Sequence, residues 1–185
     1  MSVDRRQFLR GGALGLLAYQ VAGSLVMLRP RDARAQSVPL VVLSASEQRT
    51  LEALGDTLLP GAAAEGLAHY LDHQLAAPPA DSLLMLRYLD VPPPYAAFYQ
   101  PCLAAVDASC QTQHDQRFDE LDAAERTAFV GVMQKGNPAG WQGPPAPFFY
   151  FVLRSDAVDV VYGTQAGFEK LGVPYMAHIP PATNW

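Results

Sequence analysis

The chain has 185 residues, half of them apolar and 16 of them proline, enough for one domain with a real core and stiff loops between its elements. Its formal charge of −5 is uneven: residues 1–35 hold six arginines and two aspartates, and the remainder carries seven basic against sixteen acidic residues, a net of −9. An acidic body argues against nucleic acid and anionic lipid as partners.

The first stretch reads as a targeting segment. Asp4-Arg5-Arg6-Gln7-Phe8-Leu9-Arg10 resembles the twin-arginine export motif, with Asp where Ser or Thr is usual. An apolar run from Gly11 to Leu28 follows, then Arg29, Arg31 and Arg34, and an Ala33-Arg34-Ala35 cleavage site. The expectation is a signal peptide over 1–35, cleaved after Ala35, and a single helical domain over 36–185 in the periplasm. The competing reading is a retained transmembrane anchor, since the run is about long enough to span. The twin-arginine route moves folded proteins. A small chain without a cofactor motif gains little from it, so the signal implies that this chain carries a partner out with it.

Ser44 and Glu47 make a capping box for the first helix, which buries Leu51, Leu54 and Leu58 and ends at Pro60-Gly61. A second helix covers Gly66 to Asp72. Pro78-Pro79 and Pro92-Pro93-Pro94 bracket a short apolar helix over 80–89. A longer one runs from Tyr95 to Gln113, interrupted at Pro101, which suits a first turn. Asp122 and Glu125 cap the next, with Phe129, Val132 and Met133 inward. Residues 136–147 form a rigid loop anchored by Trp141. No alternating strand pattern is evident, so the fold expected is all-α, a small irregular bundle with proline-rich loops.

The helix that begins at Phe148 is apolar on most sides, and such a helix is buried in a core or under a second chain. Gly163 supplies a left-handed stop, Thr164 caps a short helix from Gln165 to Leu171, and an extended apolar tail follows. This aromatic C-terminal region is the expected docking surface: Phe148, Phe149, Phe151, Asp156, Asp159 and Tyr162 on the helix, Tyr175, Met176, His178 and Trp185 in the tail.

Candidate chemistry is sparse. His69 and His73 share a helix face at metal-ligand spacing, but Tyr70 stands where a zinc hydrolase needs Glu, and a solvated face is the better reading. Cys102 and Cys110 would lie about 12 Å apart on one continuous helix, beyond the ~7 Å reach of a disulfide. Either the helix bends near 106–109 and they pair, which is the favoured reading, or each is unpaired, or one bridges to a partner. Two cysteines cannot hold an iron–sulfur cluster. Asp156 and Asp159 read as a solvated strip or as a contact for basic residues of a partner. No dinucleotide loop, phosphate loop or nucleophile elbow is present.

Asp56-Thr57-Leu58-Leu59-Pro60-Gly61, the Gly66-to-Asp72 run, and Tyr162-Gly163 followed by Gly167 and Leu171-Gly172-Val173-Pro174 resemble the signatures of the gluconate 2-dehydrogenase subunit 3 family. Thr164 and Gln165 depart from the Gly and Asn usual there. The resemblance implies a non-catalytic small subunit with no cofactor of its own. Its partners would be a large FAD-dependent, GMC-type dehydrogenase, often a cytochrome c subunit carrying haem c, and the twin-arginine translocase. The complex would bring it to the membrane. The alternative is a stand-alone periplasmic metal enzyme using His69 and His73; a third is an export chaperone that leaves its client.

Overall fold

The computed structural model describes residues 15–173. It is helix-rich, but it opens on a feature the sequence pattern did not show. Leu17–Val21 (β1) and Ser24–Leu28 (β2) pair as an antiparallel hairpin. Ala22 and Gly23, both at positive φ, make the two-residue turn that a hairpin of this hand requires. Pro30–Ala35 follows as a short helix, α1. The apolar run expected as a leader is therefore, from Leu17 onward, folded onto the body. Among the described residues no helix is long and apolar enough to cross a membrane. Arg5 and Arg6 lie outside the described residues.

The body comprises α2 (Ala45–Leu58), α3 (Leu67–Ala76), α4 (Met85–Tyr88), α5 (Ala96–His114), a 3-10 turn at Phe118–Glu120, α6 (Ala123–Lys135), α7 (Ala146–Tyr162) and α8 (Gln165–Lys170). Local chemistry sets the ends. Ser44 with Glu47 and Asp122 with Glu125 form reciprocal capping boxes. Asn137 Oδ1 accepts from the Ala146 N–H and so satisfies an orphan donor at the start of α7. Thr164 Oγ1 accepts from Gly167 to start α8. Three expectations change. Gly163 is not left-handed (φ −72°), the 80–89 helix shrinks to four residues, and α5 continues through Pro101.

One core runs through the bundle. Phe98, Tyr99 and Phe149 meet edge to face with centroids 5.7 to 6.1 Å apart, and Phe118 meets Phe129 at 5.5 Å, spacings that favour T-shaped packing. Leu51, Leu54, Met133 and Leu153 fill the space between. Val132, expected inward, is exposed. Arg117 ties this core's rim together: it donates to Thr50 Oγ1 (3.0 Å) and to Ser46, and it pairs with Asp119 (2.8 Å) and Asp107 (3.2 Å). A smaller cluster of Tyr19, Ala33 and Val38 lies under the hairpin.

Cys102 and Cys110 are both free and buried on α5. The bend required for pairing is absent, because Ala96 to His114 is one uninterrupted helix. The disulfide expectation is therefore wrong. Burial pushes both thiols up to about 12.

Candidate functional site

The residues that carry the family signatures hold the scaffold. Asp72 accepts three backbone N–H groups, from Val41 (2.9 Å), Val42 (2.8 Å) and Leu43 (2.8 Å), and so fixes the approach to α2. Asp56 accepts from the Ala63 N–H at 2.9 Å and closes the loop after α2. Gly66 sits at φ +88°, and a β-carbon there would lie 2.2 Å from the Pro30 backbone, so only glycine lets α1 rest on the start of α3. At Gly167 a β-carbon would lie 2.5 Å from Tyr162 Cα, which is why α8 folds back tightly against the end of α7.

His69 and His73 both bond to backbone of the segment that precedes α2. His69 is buried rather than solvated, and its Nε2 donates to the Val38 carbonyl at 3.0 Å. His73 bonds instead to the Ala18 backbone. The Tyr19 ring packs against both imidazoles, with centroids 6.5 and 5.4 Å away, and its hydroxyl donates to the His69 carbonyl at 3.1 Å. Burial lowers both histidine pKa values, favouring neutral rings. Among the described residues no group of three or more His, Cys, Asp or Glu side chains converges in a way that could hold a metal ion.

The docking candidates divide by helix phase. At 100° per residue, Phe148, Phe151, Val158 and Tyr162 share one face of α7, while Phe149 and Asp156 point the other way. Phe149 and Asp156 are both fully buried in the chain's own core, so neither belongs to a docking surface. Phe148 is half-buried, 5.4 Å from Phe98. Phe151 is 47% exposed and Val158 37%, and Asp159 is exposed beside them. Beyond the helix end, Leu171 is 54% exposed and Val173 48%. The tail residues Tyr175, Met176, His178 and Trp185 lie outside the described residues. Val158, Leu171 and Val173 were not singled out as contacts. Extending the phase of Phe151 and Tyr162 along α7 would have found Val158.

Asp156 is built into the interior. It accepts from the Met85 N–H at 2.8 Å and from the Tyr99 hydroxyl, tying α4 and α5 to α7. Desolvation raises its pKa to about 7 against the lowering effect of those two bonds. The Arg154 side chain is exposed on the other side of the helix.

Fold and surface together define a small helix-rich domain that ties its loops together through Asp56 and Asp72 and leaves Phe151, Val158, Leu171 and Val173 exposed towards the end of the described residues. A family model for gluconate 2-dehydrogenase subunit 3 matches residues 45–180, and the chain belongs to that family. Membership implies association with other subunits of a dehydrogenase complex. Comparison with curated proteins and with solved structures returns no match.

Proposed function

We propose that this chain is the small, non-catalytic subunit of an exported FAD-dependent sugar or alcohol dehydrogenase, which it stabilises and carries through the twin-arginine route to the periplasm. The observation that carries the reading is the pair of apolar side chains exposed on one face of α7, Phe151 and Val158, with Leu171 and Val173 exposed beyond the helix end, all inside the region that matches the family. Large apolar side chains left in water on one helix face suit an interaction site. A specific interface removes about 800 Å² from each partner, and this face of α7 would supply its centre. The FAD belongs to the large partner, and electrons pass on to a cytochrome c subunit where one is present. The twin arginines at Arg5 and Arg6 and the absence of a recognisable cofactor motif support the carrier role.

The test replaces Arg5 and Arg6 by Lys in cells that also make the proposed flavoprotein partner. Such a change touches none of the described residues. Both proteins are expected to stay in the cytoplasm. Normal export of the flavoprotein would overturn the carrier role, and failure of the two chains to co-purify would overturn the subunit role.

A further inference from the structure

The cleavage site expected from sequence is folded shut. Ala33, Arg34 and Ala35 are the last residues of α1, and the helix ends in a Schellman turn. Ser37 is left-handed (φ +52°), its N–H bonds to the Arg34 carbonyl (2.9 Å), and the Val38 N–H bonds to the Ala33 carbonyl (3.0 Å). The amide nitrogen of the Ala35–Gln36 bond itself donates to the Asp32 carbonyl at 3.0 Å. A protease that reads an extended segment by strand addition needs those carbonyls and amides free. It also needs the small side chain at the third position before the cut, and Ala33 is 0% exposed.

What keeps α1 in place is a strap, residues 17–38, laid across α3. Tyr19 anchors one end through its bond to the His69 carbonyl and its packing on His69 and His73. His69 Nε2 holds the other end at the Val38 carbonyl. Between them Pro30 lies flush on Gly66, while Arg34 and Arg31 reach Glu52 (3.4 Å) and Glu65 (3.7 Å) on the body. The two arginine pairs are partly exposed and hold the strap only weakly; the buried tyrosine and the close backbone contact hold it more firmly.

From this geometry we infer that the folded body closes its own signal-processing site, and that the Ala35–Gln36 bond becomes a substrate for signal peptidase only when the strap peels from α3. The inference rests on the export part of the reading above. Hydrolysis by water would leave a carboxylate on Ala35 and an amine on Gln36. It would also separate Tyr19 from the body, so the uncovering of His69 and His73 that peeling begins becomes permanent on processing.

The experiment incubates the purified full-length chain with signal peptidase in detergent micelles, without flavoprotein or translocase, and follows intact mass. A synthetic peptide spanning 25–42 is expected to be cut after Ala35, while the folded chain stays whole over the same time. Tyr19→Ala, its helix content checked by circular dichroism, is expected to be cut at least tenfold faster than wild type. If that variant does not fold, Tyr19→Phe, which removes only the hydroxyl, is expected to be cut faster than wild type by a smaller factor. Cleavage of wild type at the peptide's rate would overturn the inference. So would equal rates for wild type and variant, or a peptide that is not cut at Ala35. Because no partner is present, these outcomes are independent of whether the chain carries a flavoprotein.

Discussion

At Asp156 the carboxyl group lies wholly inside the bundle, between the Met85 N–H and the Tyr99 hydroxyl. From sequence it pairs with Asp159 as a solvated strip, because two carboxylates three apart on a helix are normally near water. The 140° of helix turn between Phe151 and Asp156 is what sends it inward instead. Its folded pKa, raised from 3.8 to about 7 by burial, has a consequence for stability. Well below pH 3.8 the group is neutral folded or unfolded, and its contribution is complete. As the pH climbs towards 7 the unfolded chain sheds the proton more readily than the folded one, and stability is lost, by up to about 4 kcal/mol at 1.36 kcal/mol per unit. Asp156→Asn stays neutral throughout; its Oδ1 can accept from the Met85 N–H while its Nδ2 donates to the Tyr99 hydroxyl oxygen. Urea unfolding between pH 4 and 8 should therefore show the variant gaining on wild type as pH rises. Parallel profiles would mean that Asp156 is ionised in the folded protein near its ordinary value.

Among the elements, α5 lacks the break that its sequence predicts. Pro101 and the two cysteines suggested a bent helix closed by a disulfide, yet Ala96 to His114 is continuous and its thiols face the core eight residues apart. Burial among Tyr99, Leu103 and Val106 decides their state, and the raised thiol pKa values leave almost no thiolate near neutral pH. A disulfide-forming thiol probe should therefore titrate no thiol in the native protein within minutes and two after unfolding, with the same mass before and after reduction. One fast thiol in the native state would contradict the burial. Helix starts were legible because a capping box is a local device: Ser44 with Glu47, Asp122 with Glu125 and Thr164 each act within one turn. The hairpin was not. Leu17–Val21 and Ser24–Leu28 are apolar on both faces and show no alternation. Only the positive-φ turn at Ala22-Gly23 and the cover provided by α3 select strand over helix.

For the molecule as a whole, the family signatures pointed to the right fold region without pointing to the surface that meets a partner. Asp56, Asp72, Gly66 and Gly167 are spent on internal struts and close approaches. The exposed apolar face is written only in the phase of α7 and in Leu171 and Val173, where composition alone reads "apolar, hence buried". Two neighbouring phenylalanines separate the roles. Phe149 is fully buried against Phe98, Tyr99 and Trp141, so Phe149→Ala should lower stability by about 3–5 kcal/mol, measured by urea unfolding of the isolated chain. Phe151 is 47% exposed, and Phe151→Asp should change that stability by less than about 1 kcal/mol. Against the proposed flavoprotein partner the expected order reverses. A charge placed at the centre of an apolar interface must be desolvated without a partner, and truncations at such centres cost about 2 kcal/mol or more. Phe151→Asp should thus weaken binding at least 30-fold by titration calorimetry. A fully folded Phe151→Asp chain that binds the flavoprotein as tightly as wild type would remove this face of α7 from the interface and leave Leu171, Val173 and the tail beyond them to supply it.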